Sequence, residues 1–296
     1  MQRRDILIGL VVVTVWGLNF IAIKLGLRDM PPLLLGALRF VLACFPIILF
    51  LPRPPIPWRS LVTLGLSLNV GQFSLLFIGM KVGMPAGLAS LVLQSQAFFT
   101  LLIAVAWLGE RWRWNHLAGL VMAACGMTII GVQQGGEMTI VGFGLTLAAA
   151  ASWSAGNIVM RQITVSAPPF SMLSLVVWAG AVAILPLLLL SWLLEGYDAW
   201  LAAYQTLNWI SVSSLVYIAF FATLAGFGLW GKLLSRYPAA VVSPLSLLVP
   251  IVGLSSSVVL LGESISLLQG LGAILVISGL AVNVLGGKQE VVCSQK

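Results

Sequence analysis

The sequence is a succession of apolar runs of about 20 residues separated by short connectors, and this pattern limits the folds open to the chain. A segment of that length spans about 30 Å as an α-helix, the thickness of a bilayer's hydrocarbon core. A helix also satisfies its own backbone N–H and C=O groups, which lipid cannot do. The runs fall at about residues 6–26, 33–51, 60–80, 85–108, 115–132, 140–161, 170–194, 210–234, 238–261 and 267–286. Helix-breaking clusters punctuate the connectors: Pro31-Pro32, the Pro52–Pro57 turn, Gly135-Gly136, Pro168-Pro169 and Gly286-Gly287. The spacing predicts an all-α polytopic membrane protein of ten transmembrane helices, with nine as the alternative count. The first run follows Arg3 and Arg4 but lacks a small-residue cleavage pattern, so it is expected to stay as a helix.

Charge sets the expected orientation. Of 296 residues only 8% are charged, against about a quarter in soluble proteins, which leaves almost no room for a soluble domain. The net charge of +7 comes from connectors rather than from a nucleic-acid surface. With the N-terminus in the cytoplasm, the inner connectors and termini hold Arg3, Arg4, Arg53, Arg59, Arg111, Arg113, Arg161, Lys232, Arg236, Lys288 and Lys296. The outer ones hold only Lys24, Arg28 and Lys81, while Arg39 lies inside the second run. The positive-inside rule therefore predicts two cytoplasmic termini.

The chemically versatile residues are too few for common active sites. There is one histidine, His116, and the three cysteines Cys44, Cys125 and Cys293 are scattered without metal-like spacing. No HExxH, P-loop or dinucleotide fingerprint is present. No metal, no cofactor and no catalytic residue is expected. The partners implied are membrane lipid and a small molecule.

The chain also resembles itself. Pro85, Ala86, Ser90, Leu101, Val105, Leu108, Gly109 and Glu110 each recur as an identical residue 153 positions later, and Gly119 and Gly126 recur as Gly272 and Gly279. At a shorter offset Trp16 matches Trp153, Asn19 falls near Asn157 and Lys24 meets Arg161, with a longer loop at 195–209 explaining the drift. The expected units are residues 1–134 and 137–288, followed by a cytoplasmic tail, 289–296. Five helices per unit is odd, so the two halves would cross the membrane in opposite directions. Inverted repeats suit alternating access around a central site.

Trp16-Gly-Leu-Asn19, Pro31-Pro32 followed by Leu38-Arg39-Phe40, Gly83–Ser90 and the paired Leu-Gly-Glu turns resemble the EamA family of the drug/metabolite transporter superfamily. The resemblance covers nearly the whole chain. It implies a central cavity between the halves and efflux of small metabolites. WGLNF, GMPAGLASLVLQ, SWSAGNI and PLSLLVPIVGL are similar to bacterial inner-membrane members that export O-acetylserine and cysteine. Small zwitterionic metabolites are therefore the expected substrates, with other amino acids, aromatic ones included, as the alternative. A membrane-embedded enzyme fits less well.

Polar side chains within the apolar runs are the candidate site, because lipid-facing polarity is costly. Trp16 with Asn19, and Trp153 with Asn157, share helix faces and would line opposite cavity walls; helix–helix hydrogen bonding is the alternative. Ser90 and Gln94 lie one turn apart, Asn69 and Gln72 sit on the third run, and Trp178 and Trp230 lie deep in theirs. Pro250 cannot bond the carbonyl of Ser246, leaving a free acceptor in the ninth run. Arg39 would bind a substrate carboxylate or guide it outward, or else snorkel to the outer interface or pair with Asp29 or another outer-loop acid. All eight acidic residues map to termini or run ends, so a mid-membrane carboxylate for proton coupling is not expected. Small residues on the fifth and tenth runs would pack within each half or form a dimer surface, so monomer and homodimer both stay open.

Overall fold

The computed structural model describes residues 1–108, 114–132, 138–237 and 239–286. Glu110, Gly135-Gly136, the expected tail and Cys293 lie outside these. The described residues form helices and connectors with no strand. In chain order the helices are α1 Arg3–Asp29, α2 Pro32–Cys44, α3 Trp58–Lys81, α4 Ala86–Ala106 and α5 Trp114–Val132. They continue as α6 Ile140–Ser166, α7 Met172–Leu194, α8 Gly196–Thr206, α9 Trp209–Arg236, α10 Ser243–Leu261 and α11 Leu267–Gly286. Among the described residues, nine helices are long and apolar enough to cross a membrane, all but α2 and α8. The protein is a multi-pass membrane protein.

Two expectations are corrected. The run at 33–51 does not continue as one helix: α2 stops at Cys44, two residues before Pro46, whose ring opposes the α-conformation at its predecessor. Its 13 residues reach about 20 Å, short of a full crossing. The segment at 195–209 is not a plain loop, because α8 occupies most of it. Gly196 at φ 81° makes the sharp exit from α7, and Trp200 then folds back so that its Nε1 donates to Ser191 Oγ at 2.8 Å.

The packing respects the sequence repeat. Exchanging α1–α5 with α6, α7, α9, α10 and α11 in order turns the α1–α10 contact into α6–α4, and α3–α6 into α9–α1. The same exchange turns α3–α7 into α9–α2 and leaves α2–α7, α4–α10 and α5–α11 as pairs that cross between the halves. The small residues on α5 and α11 meet one another in that last pair. A Cβ on Gly119 would lie 2.6 Å from the Gly279 carbonyl, and one on Gly126 would lie 2.6 Å from the Gly272 carbonyl. These glycines therefore join the two halves of one chain rather than packing within each half.

Backbone irregularities follow the same pairing. The third helix of each half contains a stretch of wider π-turns, Gly65–Gly71 in α3 and Tyr217–Ala225 in α9. The fourth helix of each half contains tightened 3-10 turns, Leu93–Ser95 in α4 and Ser243–Leu247 at the start of α10. Such insertions and tightenings redirect side chains and free carbonyls, and π-bulges recur at functional sites. The apolar core runs through the centre of the bundle, with Phe77, Leu35, Leu91, Ile218 and Leu187 fully buried.

Candidate functional site

Arg39 is the deepest charge in the described structure. Seven residues into α2, it lies about 10 Å from the helix start, and only 2% of it is exposed. Its position on α2 follows from the packing of that helix against α7, where Gly36 meets Leu187 and Phe40 and Cys44 close on Gly180, and against α9. The guanidinium is held on two sides. Nε donates to Thr223 Oγ1 at 3.0 Å, and Cζ sits 3.8 Å from the Phe73 ring centroid. The ring of Phe40 lies 5.4 Å away. Nη1, however, is buried with no hydrogen-bond partner. The alternative pairing with Asp29 is overturned, because Asp29 instead accepts from Asn208 Nδ2 at 2.7 Å, and snorkelling is overturned by the burial.

Arg39 lines a cavity between α2, α3, α6, α7 and α9. Its free volume is about 50 Å³, and it is partly open to the outside. Arg39, Asn69 and Thr223 are its polar lining; the rest is apolar, notably Phe73, Phe227, Met160 and Met172. Both Asn69 and Thr223 come from the π-turn segments, one from each half. The wide turn explains the geometry at Thr223, whose hydroxyl donates to Ile218 O five residues back at 2.8 Å while accepting from Arg39. A cavity with a single lone cation and apolar walls is built to receive an anion on a partly apolar body.

The remaining expected residues fall into three groups around this cavity. Trp16 and Trp230 form an aromatic cluster behind Phe227: the Trp16 ring lies 5.3 Å from Phe227 and 5.2 Å from Trp230, and Trp16 Nε1 donates to Ala222 O at 3.0 Å. Asn19, one turn along α1, has a buried Oδ1 without a partner. Asn157 is placed differently, with Nδ2 donating to Gln96 Oε1 at 2.6 Å and to Thr100 Oγ1 at 3.2 Å across the α6–α4 contact. The two asparagines are repeat-related in sequence but not in bonding. Trp153 packs against the main core.

Gln94 and Ser246 join the tightened turns of the two halves. Gln94 Nε2 donates to Ser246 O at 3.2 Å, so the acceptor left free by Pro250 is used within the protein. Ser90 is buried and donates to Gly87 O at 2.6 Å while closing against Gly253, where no Cβ fits. Gln72 is 3% exposed beside the α3 π-turns. Trp178 lies elsewhere: its Nε1 donates to Leu51 O at 3.1 Å and its ring meets Trp58, clamping the α2–α3 connector. Thr223, Phe73 and Phe227 were not marked by the sequence, since hydroxyls and phenylalanines are ordinary in apolar helices.

Glu263, Glu195 and Asp5 hold partners away from the cavity. Glu263 accepts from the N–H groups of Ala86 and Gly87 at 2.7 and 2.9 Å, capping α4 from the opposite half. Glu195 does the same for Leu33 and Leu34 at the start of α2, at 2.7 and 3.1 Å. Asp5 accepts from Tyr237 Oη at 2.8 Å and pairs with Arg236 at 3.3 Å.

Comparison with known proteins places this architecture. A protein of Salmonella typhimurium named "Probable amino-acid metabolite efflux pump" is 49% identical over 97% of this chain and 96% of its own length. One of the same name in Escherichia coli K12 is 45% identical over the same shares. A "Probable terminal-alkyne amino-acid exporter" of Streptantibioticus cattleyicolor is 27% identical over 94% of this chain and 93% of its own. A crystal structure 20% identical in sequence covers 98% of this chain and 100% of its own with a TM-score of 0.63, which shows a shared fold. The sequence pattern of the EamA-like transporter family matches twice, over residues 3–132 and 140–285, so the chain belongs to the EamA-like transporter family.

Proposed function

We propose that this protein exports small amino-acid metabolites across a bacterial inner membrane, with O-acetylserine- and cysteine-type zwitterions foremost. The observation that carries the reading is Arg39, a buried guanidinium with an unpartnered Nη1, in the lining of a cavity of mostly apolar walls. A substrate carboxylate completes the guanidinium's hydrogen bonding, and a small side chain rests against Phe73, Phe227 and the methionines. Arg39, Asn69 and Thr223 form the binding core, with Asn19, Gln72 and the Trp16–Trp230 cluster around it. Two relatives at 45–49% identity carry amino-acid metabolite efflux in their names, which supports the substrate class.

Transport proceeds by alternating access between two inverted five-helix halves, residues 1–134 and 137–288, with α2 as a short tenth crossing and both termini cytoplasmic. The exchange pattern of helix contacts and the paired π- and 3-10 turns support this reading. Each half then supplies a flexible third helix that shapes the cavity and a tightened fourth helix that bonds to its counterpart. The apolar lining also suits aromatic amino acids, which form the second reading.

The test is efflux from proteoliposomes loaded with a labelled amino-acid panel, comparing the protein with its Arg39→Gln variant. Cysteine and O-acetylserine are expected to leave fastest, and the variant to lose more than about tenfold in rate, the equivalent of one charge-assisted hydrogen bond. Equal rates for protein and variant would remove Arg39 from the site, and efflux of aromatic amino acids alone would favour the second reading.

A further inference from the structure

The cavity holds a fixed positive charge and nothing to receive a second one. Its lining contains one cation, Arg39, and no carboxylate. The acids nearest in sequence to the lining helices are engaged elsewhere, Glu195 on the N–H groups of Leu33 and Leu34 and Asp29 on Asn208. The hydroxyl of Thr223 is already used in both senses, accepting from Arg39 and donating to Ile218 O. That leaves the side-chain oxygen of Asn69 to meet an incoming ammonium, which brings three donors and a full charge. The carboxylate and amine of an α-amino acid are joined through one carbon. Seating the carboxylate on Nη1 therefore draws the ammonium to within several ångströms of the guanidinium. At that separation in a partly desolvated site, like charges shift an equilibrium by more than about tenfold.

Resting on the reading of this cavity as the transport site, we propose that it selects for the carboxylate and against a free ammonium, so that amine-masked monocarboxylates, N-acyl amino acids above all, bind tighter than the parent zwitterions. A monoanion neutralises Arg39, replaces the buried hydrogen bond that Nη1 lacks, and leaves no charge behind. Its acyl group adds apolar surface, which the leucine, methionine and phenylalanine walls accommodate. Zwitterions are carried as well, but the amine is not what the site reads.

O-acetylserine and N-acetylserine test this directly, because they are isomers that differ in whether the ammonium is free. Dissociation constants are measured by calorimetry on the purified full-length protein, at slightly acidic pH where acyl migration between the isomers is slow. Serine methyl ester serves as the cation without a carboxylate. N-acetylserine is expected to bind about tenfold tighter than O-acetylserine, the ester not to bind, and Arg39→Gln to lose the N-acetyl isomer while Arg39→Lys retains part of it. O-acetylserine binding as tightly as its isomer, or more tightly, overturns the inference and leaves the transport site standing. If neither isomer binds, or if both bind unchanged in the Arg39→Gln variant, the transport-site reading falls and the inference with it.

Discussion

Arg39 shows how a residue can be expensive for the fold and still be kept by it. A lone guanidinium out of water costs several kcal/mol, and the Thr223 bond and the Phe73 face return only part of that, about 1–3 and about 2 kcal/mol. In the proposed site, a bound carboxylate would make up the deficit. A cation within an apolar run made Arg39 legible in the sequence, but its role depended on burial, which composition does not report. The asparagines were less legible, since the repeat suggested equal roles and the structure gives them unequal partners. Asn157 is bonded to Gln96 and Thr100, whereas the Asn19 oxygen has none. Asn157→Ala is therefore expected to lower stability by about 1 kcal/mol, the size of one or two interhelical membrane hydrogen bonds. Asn19→Ala is expected to leave stability within about 0.5 kcal/mol and to slow transport instead. Thermal unfolding in detergent and efflux rates, measured on both variants, check the contrast. A stability loss in Asn19→Ala equal to that in Asn157→Ala would make both of them packing residues.

Among the elements, the long helices were read from hydropathy alone, and the features that shape the site were not. The π-turns in α3 and α9 insert a residue without changing the apolar pattern, so only the structure shows that they turn Asn69 and Thr223 to the cavity. The α8 helix lies within the expected loop at 195–209, a segment too short and too polar at its start to stand out as an apolar run, although it holds Trp200 and two tyrosines, Tyr197 and Tyr204. The Gly-Glu turns, by contrast, announced a structural role through their repetition. Glu263 carries that role visibly, joining the end of α10 to the start of α4. Removing its carboxylate leaves two N–H groups without acceptors, and bonds to a charged group contribute about 1.5–3 kcal/mol each. Glu263→Ala is expected to destabilise the protein by about 3–5 kcal/mol, seen as lower membrane abundance and an earlier thermal midpoint, and Glu263→Gln by roughly half of that. An unchanged midpoint in both variants would mean that the cap does not hold the halves together.

For the whole molecule, the placement of charge bears on how transport is driven. Proton-coupled carriers usually place a titrating carboxylate where substrate binds. Here the cavity lining has a cation and no carboxylate, and Glu195, Glu263, Asp5 and Asp29 are each hydrogen-bonded to other groups. The proposed alternating access requires only two conformations of similar free energy, which the two halves would provide by exchanging shapes. Under that proposal a metabolite that accumulates inside the cell would flow out down its own gradient, carried by a site whose charge stays fixed. Substrate movement into liposomes is therefore expected at equal internal and external pH, with a rate that changes less than about twofold under a pH step, whereas strict coupling stops transport without it. Orientation enters the same experiment, because reporter fusions after residue 164 are expected in the cytoplasm and those after residue 200 outside, which sets the side that faces the substrate pool. The decisive outcome is the behaviour of the acids in the paired Leu-Gly-Glu segments. Strict dependence on the pH step, abolished by Glu263→Gln or Glu110→Gln while the protein remains folded, would overturn uncoupled transport and make that acid the proton carrier.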